Sequence, residues 1–145
     1  GTASFLIGTL RGLAAWRDVD ARVTVDGREL HAGPLVFATA ANGRYFGGGM
    51  RIAPDARLDD GLLDAVVVPD RPALRALRQL PRLYRGTHLG LDGVVHARGR
   101  VLEVDAEAGA ARLEVDGEPL GAAPVRIEVL PGALRLRAPE GGTAP

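Results

Sequence analysis

The side chains best suited to chemistry in this chain are acids beside glycine turns. Asp116-Gly117-Glu118-Pro119 directly follows 112–115, where Leu113 and Val115 alternate with charged neighbours as on a half-buried strand. A strand end that holds Glu118 out as an exposed carboxylate can accept a proton from a substrate hydroxyl. The same four residues also read as one more hairpin turn. Asp26-Gly27-Arg28 is a second Asp-Gly turn with no acid in the equivalent place, so the turn alone does not choose between these readings. In 58–64 (LDDGLLD), Asp59, Asp60 and Asp64 surround Gly61. Hard cations take oxygen ligands, and a turn supplies backbone carbonyls beside one or two carboxylates. The spacing is not that of an EF-hand, and a plain Asp-Gly turn is the alternative.

Three other features carry weaker chemical signals. Gly47-Gly48-Gly49, within NGRYFGGG at 42–49, would let a backbone approach a phosphate or another domain closely. It has neither GxGxxG spacing nor a GK[ST] ending, and taken alone it reads first as a structural turn. Arg71, Arg75, Arg78, Arg82 and Arg85 recur at steps of three and four. On a helix they share a face, with Leu74, Leu77 and Tyr84 leaning to another. That face reads as a solvated surface or as a basic stripe attracting anionic lipid headgroups. His31, His88 and His96 have no metal-ligand spacing and read as structural, although His88 in GTHLG sits in a turn-like context.

The elements that must position these residues are mostly strands. The segment 4–17 has helical apolar spacing with Ser4 as a candidate N-cap. Residues 19–25 alternate with period two, Asp26-Gly27 signals a tight hairpin, and 28–31 returns antiparallel. A second, more buried strand is expected over 34–42, a glycine-rich loop over 42–54, and an apolar strand over 62–68. Residues 71–85 form the other helix, broken or kinked near Pro81. Short strands follow at 94–98, 100–105, 112–116, 125–130 and 134–138, and 140–145 reads as a disordered tail. The expected fold is mainly β (α+β): an antiparallel β-sandwich-like domain with two added helices.

Composition removes several classes of function. With 145 residues the chain holds one domain with a sizeable core. Basic and acidic residues number 18 each, so charge favours neither nucleic acid nor a polyanion. Every basic residue is Arg, there is no Cys, and Ser4 is the only serine. Thiolate chemistry, disulfides and a serine triad are therefore excluded. The absence of Cys makes a reducing cytosol the default compartment. Aromatics are 4%, too few for a base-stacking platform.

Taken in order, the motifs resemble a known family. N-G-x-x-x-G-G-G at 42–49, A-P-x-A at 53–56, D-D-G-x-L-D at 59–64, the helix ending in G-T-H at 86–88, and D-G-E at 116–118 are similar to the C-terminal domain of the diacylglycerol kinase and sphingosine kinase superfamily, bacterial branch. The resemblance covers about 5–139. It implies a lipid-substrate domain spanning 1–139 of a two-domain lipid kinase, whose N-terminal ATP-binding domain is absent from this chain. It implies Glu118 as general base with Asp116 supporting, and Mg²⁺ held by Asp60 with the backbone carbonyls of Arg57 and Leu62. Asn42, Gly48 and Gly49 are implied to line the interdomain cleft.

ATP would be co-substrate through the missing domain, whose G-G-D-G-T segment does not occur in these residues. The fragment alone is then expected to be inactive. The implied location is cytoplasmic with peripheral membrane contact through the Arg stripe, and a homodimer is left open. Rival readings are a non-catalytic lipid-binding or interaction module, and a soluble-sugar or NAD kinase.

Overall fold

The computed structural model describes residues 18–69 and 73–135. Alternation over Val19–Val25 (β1) buries Ala21, Val23 and Val25 on one face and leaves Arg22 exposed on the other. Asp26 (φ 48°) and Gly27 (φ 76°) form a two-residue turn with both residues left-handed. That is the hairpin turn whose twist matches its strands. The chain returns as Arg28–Ala41 (β2), followed by Leu63–Pro69 (β3), Val95–Gly99 (β4) and Val101–Ala106 (β5). Arg112–Val115 (β6), Glu118–Ala122 (β7) and Val125–Glu128 (β8) complete the strands among the described residues. Six strands join in the antiparallel order β4-β3-β2-β1-β5-β8, while β6 and β7 pair as a separate hairpin.

The two strands expected at 28–31 and 34–42 are one bent strand. Residues 28–35 of β2 pair with β1, and 35–41 pair with β3, with a register shift between Leu35 and Phe37. Gly33, at φ 127°, allows the backbone to bend just before the change of partner. A strand that changes sheets at a bulge is how a sandwich turns its corner. The opposite side is closed by a short link, because only Arg100 separates β4 from β5. Two residue steps span at most roughly 7 Å. In a flat sheet these strands would stand four spacings apart, about 19 Å. The sheet must therefore roll.

Asp26 fastens that closure, its Oδ1 accepting N–H bonds from Arg100 at 3.0 Å and Val101 at 2.9 Å. The core lies between the two halves: Val23, Val25 and Leu102 from one side meet Ala65 and Val67 from the other. The outer face of β1, β5 and β8 is polar, and Glu103 takes Arg126 at 3.0 Å.

A second core lies outside β2 and β3, where Ala41 and Val66 are covered by Ile52, Ala53 and Ala56 of the 42–62 connection. Helix α1 (Ala73–Arg85) packs here through Leu83. Tyr84 was expected on the apolar face but is 42% exposed. One residue turns a side chain by about 100° on a helix, and Leu83 holds the inward phase. Of the break or kink expected near Pro81 the break does not occur, since the helix continues through it. Its C-terminal carbonyls are held from outside the helix: Leu83 accepts the Arg51 N–H at 3.1 Å, and Arg82 accepts the Thr87 N–H at 2.9 Å. A single 3-10 turn follows at His88–Gly90.

The helix read at 4–17 and the tail at 140–145 lie outside the described residues. Of the strand expected at 134–138, Leu134 and Arg135 belong to no strand and the rest is likewise outside. Among the described residues no helix is long and apolar enough to cross a membrane.

Candidate functional site

The hairpin β6–β7 carries the first candidate group. Asp116 (φ 51°) and Gly117 (φ 89°) repeat the two-residue turn of Asp26-Gly27, and Glu118 opens β7 opposite Val115. Asp tolerates the left-handed region better than most side chains, which explains Asp116 at the turn. Glu118 is exposed, and no ion pair among the described residues engages its carboxylate. Exposed apolar side chains flank it: Val115 at 44% and Leu120 at 68%. The root of the hairpin is tied down, with the Ala123 N–H donating to the Ala111 carbonyl at 2.8 Å.

That root forms one wall of a half-open cavity of about 590 Å³ against the bend of β2 and the strands β5 and β8. Phe37, Val104, Leu113, Val125 and Ile127 are among its lining residues, and Arg112 is the one charged residue of the lining among the described residues. The bend in β2 that builds the sandwich corner also opens this space, because Leu35 to Ala38 line it.

The acidic turn lies elsewhere. The Leu62 N–H donates to Asp60 Oδ1 at 3.0 Å across Gly61, which sits at φ 68°. Asp60 Oδ2 is paired with Arg98 Nη2, and Arg98 Nε also reaches Asp64 Oδ2 at 3.3 Å. Burial pushes the Asp64 carboxyl up despite the guanidinium beside it, while Asp64 holds Arg98 above the usual arginine range. Asp59 turns away to pair with Arg57 at 3.2 Å, which lowers its carboxyl.

The structure therefore gathers Asp60 and Asp64 around Arg98 and leaves Asp59 outside. Among the described residues, no group of three or more His, Asp or Glu is placed to hold a metal ion. A metal at this turn would draw on Asp60 alone among carboxylates, with backbone carbonyls and water. That donor set suits Mg²⁺, which keeps several waters. Each Asp60 oxygen retains a lone pair, but Arg98 would compete for the carboxylate.

The glycine triplet has a structural explanation. Phe46 and Met50 bridge through two N–H···O bonds of 3.0 Å, and Gly47, Gly48 and Gly49 span them at φ 45°, 76° and 96°. Three successive left-handed residues require glycine whether or not a ligand approaches. Asn42, Gly48 and Gly49 are exposed on this connection.

Side chains from both ends hold the connection in place. Arg44 Nε donates to the Ala56 carbonyl at 3.0 Å, Arg51 Nη2 to the Pro54 carbonyl at 3.2 Å, and His88 Nε2 to the Ile52 carbonyl at 2.9 Å. His88 is 4% exposed, and its burial lowers the imidazole pKa. As a donor at Nε2 it is the tautomer with a bare Nδ1, which has no partner among the described residues. Of the Arg stripe, Arg78, Arg82 and Arg85 are exposed on α1, and Arg71 is outside the described residues.

Sequence reading missed Arg98, and it placed Asp26 in a turn without its bonds to Arg100 and Val101. Those pairings have no local signal, since the partners lie 34 to 75 positions away.

A β-sandwich-like domain with a half-open, largely apolar cavity and two acidic glycine turns is the class that fold and site define. Residues 1–138 match the family model described as the YegS C-terminal NAD kinase beta sandwich-like domain, and the chain belongs to that family. It is 31% identical over 142 residues to a protein of Mycobacterium tuberculosis named diacylglycerol kinase, covering 98% of this chain and 45% of that protein. It is 42% identical over 110 residues to a Pseudomonas aeruginosa protein named Probable lipid kinase YegS-like, covering 75% of this chain and 35% of the other. A solved diacylglycerol kinase from Bacillus anthracis shares the fold, with TM-score 0.66 at 24% identity over 91% of this chain and 44% of that one. The chain thus spans under half the length of these relatives, and it is a domain of the lipid kinase family.

Proposed function

We propose that this chain is the lipid-side domain of an ATP-dependent kinase that phosphorylates a hydroxyl on a diacylglycerol-like lipid. The observation that carries this reading is the apolar cavity of about 590 Å³, walled by the root of the hairpin whose tip bears Glu118. The lipid tail occupies the cavity, and its hydroxyl emerges towards the hairpin. Glu118 takes the hydroxyl proton as that oxygen attacks the γ-phosphorus of ATP. The bond from the γ-phosphorus to the β–γ bridging oxygen breaks, and ADP leaves with that oxygen. Asp116 supports Glu118 through the turn and makes no contact with the reacting atoms.

ATP arrives on an N-terminal domain outside this sequence, with Asn42, Gly48 and Gly49 facing it across the cleft. Asp60 with the carbonyls of Arg57 and Leu62 would hold Mg²⁺, whose contribution there is to stiffen the turn. Arg78, Arg82 and Arg85 give the domain a basic face for an anionic membrane surface.

Phosphoryl transfer needs the phosphates positioned and neutralised, and neither GxGxxG spacing nor a GK[ST] ending, the phosphate-cradling patterns, occurs in these residues. The test is transfer of labelled γ-phosphate to a panel of lipid alcohols. Labelled lipid is expected from the full-length protein and none from this chain alone. A full-length protein that binds lipid without labelling any would make the domain a non-catalytic lipid module. Turnover by this chain alone would remove the need for a second domain.

A further inference from the structure

We propose that the apolar face of the β6–β7 hairpin is a movable wall of the lipid site. It swings on the bulge at Gly121, seats Leu120 over the cavity mouth and so brings Glu118 to the acceptor hydroxyl. The inference rests on the lipid reading above and makes Leu120 the positioning residue for its base.

Strand alternation sorts the hairpin into two faces. Arg112, Glu114 and Pro119 share one, since Glu114 pairs with Pro119. Leu113, Val115 and Glu118 share the other, since Val115 pairs with Glu118. Leu120 lies two residues beyond Glu118 and returns to that second face. Three apolar side chains therefore surround the carboxylate. Leu113 is half-buried and lines the cavity, whereas Val115 and Leu120 are 44% and 68% exposed and lie beyond the lining.

The hairpin is built to pivot. Among the described residues β6 and β7 pair with each other and with no other strand, and a two-stranded hairpin by itself is marginally stable. Its root is tied by the Ala123 N–H on the Ala111 carbonyl. Just outboard of the root the register shifts between Leu113 and Glu114, which leaves Leu120 as the extra residue of a bulge. Gly121 adjoins it at φ 123°, and a Cβ there would meet nothing within 4 Å. Backbone conformation, and not crowding, is what requires glycine at this position. A glycine in open space between a tied root and an unsupported tip is a hinge.

The half-open cavity supplies what the tip lacks, apolar surface continuous with Leu113 on the same face. Turning the tip inward covers Val115 and Leu120, and the same motion takes the bound acyl chain out of water.

The experiment is hydrogen exchange of the full-length protein, without nucleotide, before and after adding a short-chain diacylglycerol. Lipid is expected to slow exchange of the amides over 114–120 about tenfold, while the Ala123 amide stays protected in both states. In turnover with ATP, Leu120→Ser should lower kcat about tenfold, the yield of burying a leucine that starts 68% exposed. Its Tm and its KM for ATP should match wild type, because the resting side chain is already in water. Leu120→Met should restore most of the rate.

Equal exchange with and without lipid, in a protein that turns the lipid over, overturns the proposal and leaves the lipid reading standing. A tip already protected before lipid is added does the same, by giving the face to another part of the full-length protein. A Leu120→Ser variant as fast as wild type, or one with a lowered Tm, also overturns it. If the full-length protein neither binds nor phosphorylates lipid, the proposal and the lipid reading fall together.

Discussion

His88 gives the sharpest test of how the domain holds its long connection in place. Its ring is 4% exposed and donates to the Ile52 carbonyl at 2.9 Å, beside Ile52, Ala53 and Ala56, each 3% exposed or less. His88→Ala leaves that carbonyl without its donor, a cost of about 1 to 3 kcal/mol. It also opens a cavity where the ring stood, at about 2 kcal/mol by comparison with larger ring deletions. The sum, about 3 to 5 kcal/mol, is a large part of a typical domain's stability. In a chain of this length it lowers Tm by roughly 10 to 15 °C. His88→Gln retains a donor near the Nε2 position and should recover about half of the loss.

The assay is thermal unfolding followed by circular dichroism between pH 4.5 and 8. Burial lowers the folded-state pKa of His88 below its ordinary value. Its stabilising contribution is therefore complete above the unfolded pKa, near 6.5, and is lost as pH falls from there through the lowered folded value. The wild type should lose stability over that window relative to His88→Gln, which has no titrating ring. A Tm for His88→Ala within 2 °C of wild type would refute the magnitude. An acid limb of the same slope in wild type and His88→Gln would refute the linkage.

Three further outcomes follow from other parts of the fold. A Cβ at Gly99 would collide with Val25 Cγ1 and lie 2.6 Å from Asp26 Oδ2, so Gly99→Ala should cost about 1 to 3 kcal/mol by melting; an unchanged Tm would count against the rolled closure. Mg²⁺ should raise the Tm of the wild type but not of Asp60→Ala, and identical melting curves with and without Mg²⁺ would remove the metal from Asp60. Replacing Arg78, Arg82 and Arg85 by Gln should weaken binding of the full-length protein to anionic vesicles at low salt. Equal vesicle binding would leave the stripe a solvated face.

What could be read from the sequence followed the range of the forces involved. Asp26-Gly27 and Asp116-Gly117 were legible because a two-residue turn with positive φ depends on those two residues alone. The alternation in β1 and β8 was legible for the same local reason. The roll of the sheet was not, because it depends on β2 changing partners near Leu35 and on Arg100 being the whole link between β4 and β5. Each is a statement about strand order, which periodicity does not carry. Pro81 does not end the helix, which runs on to Arg85. In the acidic turn the residues were visible, but Arg98 reaches Asp60 from 38 positions away and changes what the turn can bind. The order of the motifs indicated the family, and the cavity entered only with the fold.

The central claim is that Glu118, at the tip of β6–β7, is the base on the acceptor side of a lipid kinase. Initial-rate phosphorylation of lipid by the full-length enzyme, wild type against Glu118→Gln, tests it most directly. The account predicts turnover lower by about 10² to 10⁴-fold, the usual contribution of a general base, with the KM for ATP little changed. Turnover of the Gln variant within a few-fold of wild type would contradict it.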